Sequence, residues 1–129
     1  MTKYWIALMI LLLAGCASVV QSQGFNFGQM LQSKGLPQLN DGIKSYEDGS
    51  YREAVGELQG ALNAGLSDSE KVKAHKYLAF TYCISHRETL CREEFTKALT
   101  IDPSFELTPA EAGHPMWGTV FRSVKRTFK

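Results

Sequence analysis

The 129-residue sequence lacks any surplus of charge, since fourteen lysines and arginines face thirteen acidic residues and the formal net charge is +1. This balance excludes a global positive field of the kind that attracts nucleic acid. The sequence also lacks sustained alternation of polar and apolar residues, so we expect no β-sheet. Because 44% of the residues are hydrophobic and 21% are charged, the chain still has the composition of one folded domain with a core.

Motifs that point to catalysis are also missing. The sequence has no glycine-rich phosphate loop. Its adjacent acids, Glu47/Asp48 and Glu93/Glu94, are expected on solvated helix surface, and His75 is expected to be a packing or surface residue of a helix. We therefore predict no enzyme, no catalytic residue, no metal site and no small-molecule substrate.

Cysteine is scarce, and the first of the three, Cys16, follows an N-terminal segment with the layout of a secretory signal. Lys3 precedes an apolar stretch that is too short for a membrane-spanning helix, which needs about 20 residues. The motif LAGC, which ends at Cys16, resembles the lipobox of bacterial lipoproteins. This resemblance implies removal of residues 1–15 and an S-diacylglycerol and N-acyl lipid on Cys16, with no other cofactor. A plain secretory signal with an incidental cysteine is the alternative.

The residues after the cysteine bear on the location of the protein. Ala17 and Ser18 stand where lipoproteins retained in the inner membrane tend to have aspartate, so the resemblance implies an outer-membrane lipid anchor that faces the periplasm. Removal of Lys3 with the signal leaves the mature chain formally neutral. Residues 16–35 are rich in Gln, Ser and Gly and are expected to form a tether, either a spacer or a segment that docks onto the domain or a partner.

Helical periodicity begins near residue 36, where Pro37 suits a first helical position. Four helices are predicted up to residue 103. Capping boxes, in which a Ser or Thr is followed three residues later by Glu, are predicted at Ser50, Ser67 and Thr108.

Two segments, residues 46–62 and 82–99, repeat one pattern. Ala54 and Cys91 hold matching small positions, and Leu58 and Phe95 hold matching large ones. The spacing resembles the tetratricopeptide repeat (TPR), a helix–turn–helix unit of about 34 residues. The resemblance covers repeats at about 36–66 and 70–103 and implies an all-α fold, a right-handed α-solenoid fragment of two hairpins. A generic pair of helical hairpins is the alternative.

Residues 104–129 are predicted to cap this domain of residues 36–129, because two repeats alone leave an apolar end uncovered. A last helix is expected to start at His114-Pro115 and to present two stripes. The apolar stripe consists of Trp117, Val120, Phe121, Val124 and Phe128. The basic stripe consists of Arg122, Lys125, Arg126 and Lys129. We expect the basic stripe to be a solvated helix face, with contact to an acidic partner or lipid headgroups as the alternative.

The stretch CISHRETLC holds the other two cysteines, Cys83 and Cys91. In the TPR register they end one helix and begin its antiparallel partner, and the periplasm oxidises thiols, so a disulfide is predicted. A metal site with His86 would lack a fourth ligand, and the spacing differs from that of redox CxxC motifs. Because Cys83 aligns with a groove-facing position, the direction of its Cβ relative to Cys91 bears on whether the bond forms.

The TPR resemblance implies partner binding on the concave face, which the first helix of each hairpin lines. Carried over position by position, this groove consists of Leu39, Ile43, Tyr46, Glu47, Lys73, Lys76, Phe80 and Ile84. Ile43 and Phe80 are expected to be exposed apolar anchors, and the two lysines are expected to orient the acidic flank of an apolar partner segment. The asparagine pair of carboxylate-clamp TPRs is absent.

Together, these features resemble the small TPR outer-membrane lipoproteins of Gram-negative bacteria, most of all those associated with type VI secretion. The resemblance implies a non-enzymatic, periplasm-facing protein that binds a protein partner in an envelope complex and supports the assembly or stability of a secretion machine. The alternatives are a pilotin-like factor for a type IV pilus or secretin, or a regulator of a peptidoglycan enzyme.

Overall fold

Helices are the only regular secondary structure in residues 32–129, the part of the chain that the computed structural model describes. They are α1 (Leu36–Glu47), α2 (Tyr51–Ala64), α3 (Asp68–Ile84), α4 (Glu88–Ile101), the single turn α5 (Pro109–Ala112), α6 (Trp117–Lys125) and a final 3-10 turn (Arg126–Phe128). The prediction of an all-α fold is confirmed for these residues. The predicted signal, the lipid-bearing Cys16 and most of the tether fall on residues 1–31 and lie outside the described residues.

Two of the three predicted capping boxes form. Ser67 and Thr108 are extended at ψ 164° and 158°, and each accepts a hydrogen bond from the backbone N–H three residues later. The capping box predicted at Ser50 is wrong, because its ψ of 65° leaves the side chain without a capping hydrogen bond. The Ser50 N–H donates instead to the carbonyl of Ser45. This bond belongs to the tight turn that Gly49 makes with a φ of +79°.

Small residues let the helices of each hairpin approach closely. α1 packs on α2 and α3 packs on α4. Gly42 lies against Leu58, and a Cβ at position 42 would stand 2.8 Å from the Leu58 side chain. Ala54 and Cys91, the matched small positions of the sequence repeat, are both fully buried. The large side chains at Leu58 and Phe95 then fill the space beside them.

The two glycines of the first hairpin should respond oppositely to alanine. Gly42→Ala should destabilise the domain by about 1–3 kcal/mol, because the new methyl group overpacks against Leu58. Gly56→Ala should stabilise it by about 0.5–1 kcal/mol, because Gly56 is helical and nothing stands within 4 Å of its Cβ direction. Urea unfolding followed by circular dichroism measures both changes. Equal shifts for the two variants would contradict the close α1–α2 packing.

The C-terminal helix covers the second hairpin as the sequence predicts. Trp117, Val120, Phe121 and Val124 are buried, and Phe128 is half-buried. α6 packs on α4 and also touches α3. The helix begins at Trp117, two to three residues after the predicted start at His114-Pro115. The Met116 N–H donates to Nδ1 of His114 in the preceding turn.

The last residues of the predicted tether belong to the folded unit, which begins at Gln32. The Gly35 N–H donates to the Gly65 carbonyl at 2.9 Å, and the Ser67 N–H donates to Ser33 Oγ at 3.2 Å. A side chain at Gly35 would collide with the Ala61 carbonyl. The chain therefore enters the domain against the α2–α3 connection.

Candidate functional site

The predicted partner groove lies on α1 and α3, which contact each other. Leu39 and Phe80 are core residues, with 1% and 2% of their surface exposed. The prediction of an exposed apolar pair is therefore wrong for Phe80, while Ile43 is half-buried. The other groove residues divide by exposure. Glu47 and Lys73 are exposed, and Tyr46, Lys76 and Ile84 are intermediate.

The burial of Phe80 follows from the position of the C-terminal segment. The indole of Trp117 stacks on the Phe80 ring, with centroids 4.3 Å apart and planes inclined by 22°. Trp117 Nε1 also donates to the Glu111 carbonyl at 2.8 Å, and His114 stacks on the same indole. The chain thus fills with its own aromatic side chain the place that a partner's anchor was expected to take.

Lys76 also binds to the C-terminal segment. Its Nζ lies 2.8 Å from Oε1 of Glu111, and both side chains are mostly buried. Lys76 was predicted to orient a partner's acidic flank, and in this fold its ammonium group is already paired with Glu111. Burial alone would raise the pKa of Glu111, but hydrogen bonds from Lys76 and from the Thr108 N–H outweigh it, and the pKa is lowered. The ion pair fixes α5 across the middle of α3.

Tyr77 is a member of this face that the sequence-based assignment missed. Its ring meets Tyr46 edge-on at 5.3 Å and Phe80 at 5.8 Å. The spacing Lys73, Tyr77, Phe80, Ile84 follows one helix face and is a signal that could have identified it. Burial is the main cause that raises the pKa of Tyr46 to about 12, so its phenol stays neutral at physiological pH.

An open cleft of about 470 Å³ remains beside this filled region, at the N-terminal end of α3. It is lined by Asp68, Ser69, Val72, Lys73, Lys76, Ile101, Asp102 and Phe105. We call it the α3 cleft. Its apolar walls come from three elements: Val72 on α3, Ile101 at the end of α4, and Phe105 in the following loop. Because Ile101 and Phe105 lie outside the first helices of the repeats, the groove register did not include them.

Lys73 is the lysine of the α3 cleft that has no ion-pair partner among the described residues. Asp68 pairs with Lys71, and Asp102 accepts hydrogen bonds from the backbone N–H and the hydroxyl of Ser104. Lys76 is held by Glu111. Lys73 is exposed and has no ion-pair partner within the described residues. Asp102 keeps its negative charge because its Ser104 donors are neutral, so the cleft combines apolar walls with one carboxylate and, in Lys73, one ammonium group that lack ion-pair partners among the described residues. Lys73 could pair with a carboxylate of an apolar partner segment.

Cys83 and Cys91 lie at disulfide-bonding distance, with the Sγ atoms 2.05 Å apart and the Cα atoms 5.2 Å apart. This separation falls in the usual range for a disulfide and answers the question that the groove-facing register of Cys83 raised. The intervening turn contains His86 at φ +59°, a left-handed conformation that is uncommon outside glycine but that histidine, asparagine and aspartate adopt more often than other residues. No group of three or more His, Cys, Asp or Glu side chains in residues 32–129 is placed to hold a metal ion.

A buried polar network joins α3 to α4. His75 Nδ1 lies 2.6 Å from Glu94 Oε2, and Lys97 Nζ lies 2.7 Å from Glu94 Oε1. Glu94 is buried, so its assignment to solvated helix surface is wrong. Burial would raise the pKa of Glu94, yet the hydrogen bonds from His75 and Lys97 prevail and lower it. A buried carboxylate is costly unless it is hydrogen-bonded or paired, and His75 and Lys97 supply these partners to Glu94.

The lowered pKa of Glu94 predicts acid sensitivity. In the unfolded chain Glu94 should titrate at its ordinary value of 4.5, above its value in the folded protein. Its contribution to folding is then complete above pH 4.5 and is lost as the pH falls through the folded-state pKa. Thermal melts from pH 7 to 3 should show a falling Tm, and Glu94→Gln should flatten that fall. A variant with the same acid limb as the parent chain would contradict this role.

The basic stripe of the C-terminal helix has two kinds of member. Lys125 links α6 to the preceding loop, since its Nζ donates to the carbonyls of Pro103 and Phe105 and pairs with Glu106 at 2.9 Å. Arg122 donates to the Ala112 carbonyl but stays exposed. Arg126 and Lys129 are exposed. The expectation of a solvated face is wrong for Lys125, because its charge satisfies backbone carbonyls of the preceding loop.

No helix within residues 32–129 has the length and hydropathy of a membrane span. Comparison with known proteins gives no match to a family model, to a curated protein or to a solved structure.

Proposed function

We propose that this chain is a non-enzymatic TPR lipoprotein, anchored through Cys16 in the outer membrane, that binds a protein partner in the periplasm. In this proposal the partner belongs to an envelope secretion machine, with type VI secretion favoured, and the protein supports assembly or stability of that machine. The sequence motifs LAGC and the twofold helical repeat are the basis for the anchor and the TPR assignment.

The helix arrangement supports the TPR part of the proposal. In a TPR stack, each new hairpin packs its first helix against both helices of the previous one. Here α3 contacts both α1 and α2, and α6 contacts both α3 and α4. The small residues Gly42 and Cys91 stand at the close approaches within the two hairpins, and both are buried.

The observation that carries the binding proposal is the α3 cleft. Its apolar walls, Val72, Ile101 and Phe105, lie beside Lys73, an exposed ammonium group that has no ion-pair partner among the described residues. A volume of about 470 Å³ accommodates a few side chains of a peptide segment. We infer a partner segment with two or three apolar side chains and an acidic residue next to them.

The experiment tests both the membrane anchor and the contact with a partner. Metabolic labelling with palmitate and membrane fractionation test the anchor, with Cys16→Ala as the control that should remain unlabelled. A photo-crosslinking residue at Lys73 should then capture the same envelope protein in repeated experiments, whereas the same residue at Asn63, exposed on α2, should not. The identity of the captured protein decides among type VI secretion, a pilotin role and a peptidoglycan enzyme. Equal capture from both positions would overturn the assignment of the cleft.

A further inference from the structure

Charge is segregated along the described chain although the total is neutral. Residues 32–116 contain all thirteen acids and nine lysines and arginines, for a net formal charge of −4. Residues 117–129 contain four basic residues and no acid, for a net charge of +4. The whole positive excess therefore lies on α6, the 3-10 turn that follows it and Lys129 after the turn.

Most of this positive charge lies on the exposed side of residues 117–129. α6 buries its apolar stripe against α4 and α3, which leaves Thr119, Arg122 and Arg126 exposed on the other side, together with Lys129. Arg126 and Lys129 have no carboxylate within ion-pair distance among the described residues, whereas Lys125 is neutralised by Glu106. An open cavity of about 360 Å³ is lined by Arg122, Arg126 and Lys129 together with Phe121 and the Glu106–Lys125 ion pair.

We propose that Arg122, Arg126 and Lys129, here called the basic face, bind the phosphodiester headgroups of an anionic phospholipid bilayer. Arginine guanidinium groups match the oxygen geometry of a phosphate, and Arg122 is already oriented by its hydrogen bond to the Ala112 carbonyl. The half-buried ring of Phe128 lies beside these cations in the sequence, a combination typical of segments that lie at a membrane interface.

A bilayer fits this face better than a peptide does. The basic face offers charge and an open cavity, but no apolar groove comparable to the α3 cleft, and a flat array of headgroups can meet three separate cations at once. The contact does not depend on the α3 cleft or on the proposed TPR partner.

The test measures how fast an amine reagent acetylates Lys129 in the full chain mixed with vesicles. Lys129 should react several-fold more slowly with vesicles that contain phosphatidylglycerol than with pure phosphatidylcholine, and high salt should remove the difference. Lys44, whose side chain is 73% exposed on α1, is the internal control and should react equally in both. Mass spectrometry of the digested protein reads both sites in one sample.

A matched pair of variants locates the contact. Arg126→Gln should raise the lipid concentration needed for half-protection of Lys129 about fivefold, the usual effect of one cation near an anionic surface. Arg52→Gln, an equal change at an exposed position of α2, should leave it unchanged. Equal protection by phosphatidylcholine, equal loss in both variants, or no protection at all would overturn the proposal. Equal protection by soluble glycerophosphate would also overturn it, since that result assigns the site to a free anion.

Discussion

Trp117→Ala should lower the Tm of the domain by roughly 12 °C or more, the largest effect expected of any single substitution proposed here. Truncation of a buried tryptophan costs about 3–5 kcal/mol, and each kcal/mol shifts the Tm of a domain of this size by about 4–8 °C. This large effect is expected because Trp117 stacks on Phe80 and its Nε1 donates a hydrogen bond to the Glu111 carbonyl. The variant should therefore also loosen the Lys76–Glu111 ion pair.

Phe128→Ala is the matched control for this prediction. Phe128 is also an aromatic residue of the apolar stripe, but it is only half-buried and lies in the final 3-10 turn. Its truncation should lower the Tm by less than half as much, because less apolar area returns to water. Thermal melts followed by circular dichroism compare the two. Similar shifts would mean that the C-terminal segment does not fill the face of α3 as described.

Loss of the Cys83–Cys91 bond is expected to have the second largest effect. The two cysteines are eight residues apart in the sequence. For a loop of this length the chain-entropy model gives a stabilisation of about 2–3 kcal/mol. The double variant Cys83→Ala/Cys91→Ala should therefore melt about 8 °C or more below the parent chain while its helical spectrum is retained. Ile84 and Glu88 flank the turn, and their helices are already fixed by the packing of α3 on α4, so the fold itself should persist.

The oxidation state is checked directly on the protein purified without reductant. Alkylation under denaturing conditions without reductant should leave Cys83 and Cys91 unmodified, and prior reduction should expose both to the reagent. Mass spectrometry that finds both thiols alkylated without reduction would contradict the bond. So would a Tm that does not change when the oxidised protein is treated with reductant.

Local sequence patterns predicted the helices well, and their failures have identifiable physical causes. Ser50 and Ser67 both begin an S-x-x-E pattern, but the turn at Gly49 gives Ser50 a ψ of 65° while Ser67 is extended at 164°. Only the extended conformation lets the side chain accept from the third residue of the helix. The pattern is therefore necessary for a capping box, but the preceding turn decides whether it forms.

The candidate site was less predictable because it depends on contacts between distant segments. The repeat register assigned Phe80 to the partner-facing side of α3, but it carried no information on where Trp117 and Glu111 would lie. Those two residues convert Phe80 and Lys76 into internal contacts. Similarly, the α3 cleft needs Ile101 and Phe105, which follow α3 by more than fifteen residues.

The internal contacts of Phe80 and Lys76 determine which variants can report on partner binding. Phe80→Ala and Lys76→Glu would remove internal contacts, so a loss of binding in either could reflect a loosened C-terminal segment. Lys73 is exposed and pairs with no described side chain, so its replacement leaves the packing of the domain unchanged. Lys73 is therefore the residue on which the binding proposal can be judged.

The most direct test of the proposed function is a binding titration of the captured envelope partner with the full chain, its Lys73→Glu variant and its Lys44→Glu variant. Lys44 is an exposed lysine on α1 with a surface ion pair to Asp48, a kind of pair worth little to stability. All three proteins must first show the same melting curve. We predict that Lys73→Glu weakens the partner about tenfold or more, mainly at low salt, and that Lys44→Glu binds like the parent chain. Equal affinity for all three proteins would contradict the assignment of the α3 cleft as the partner site.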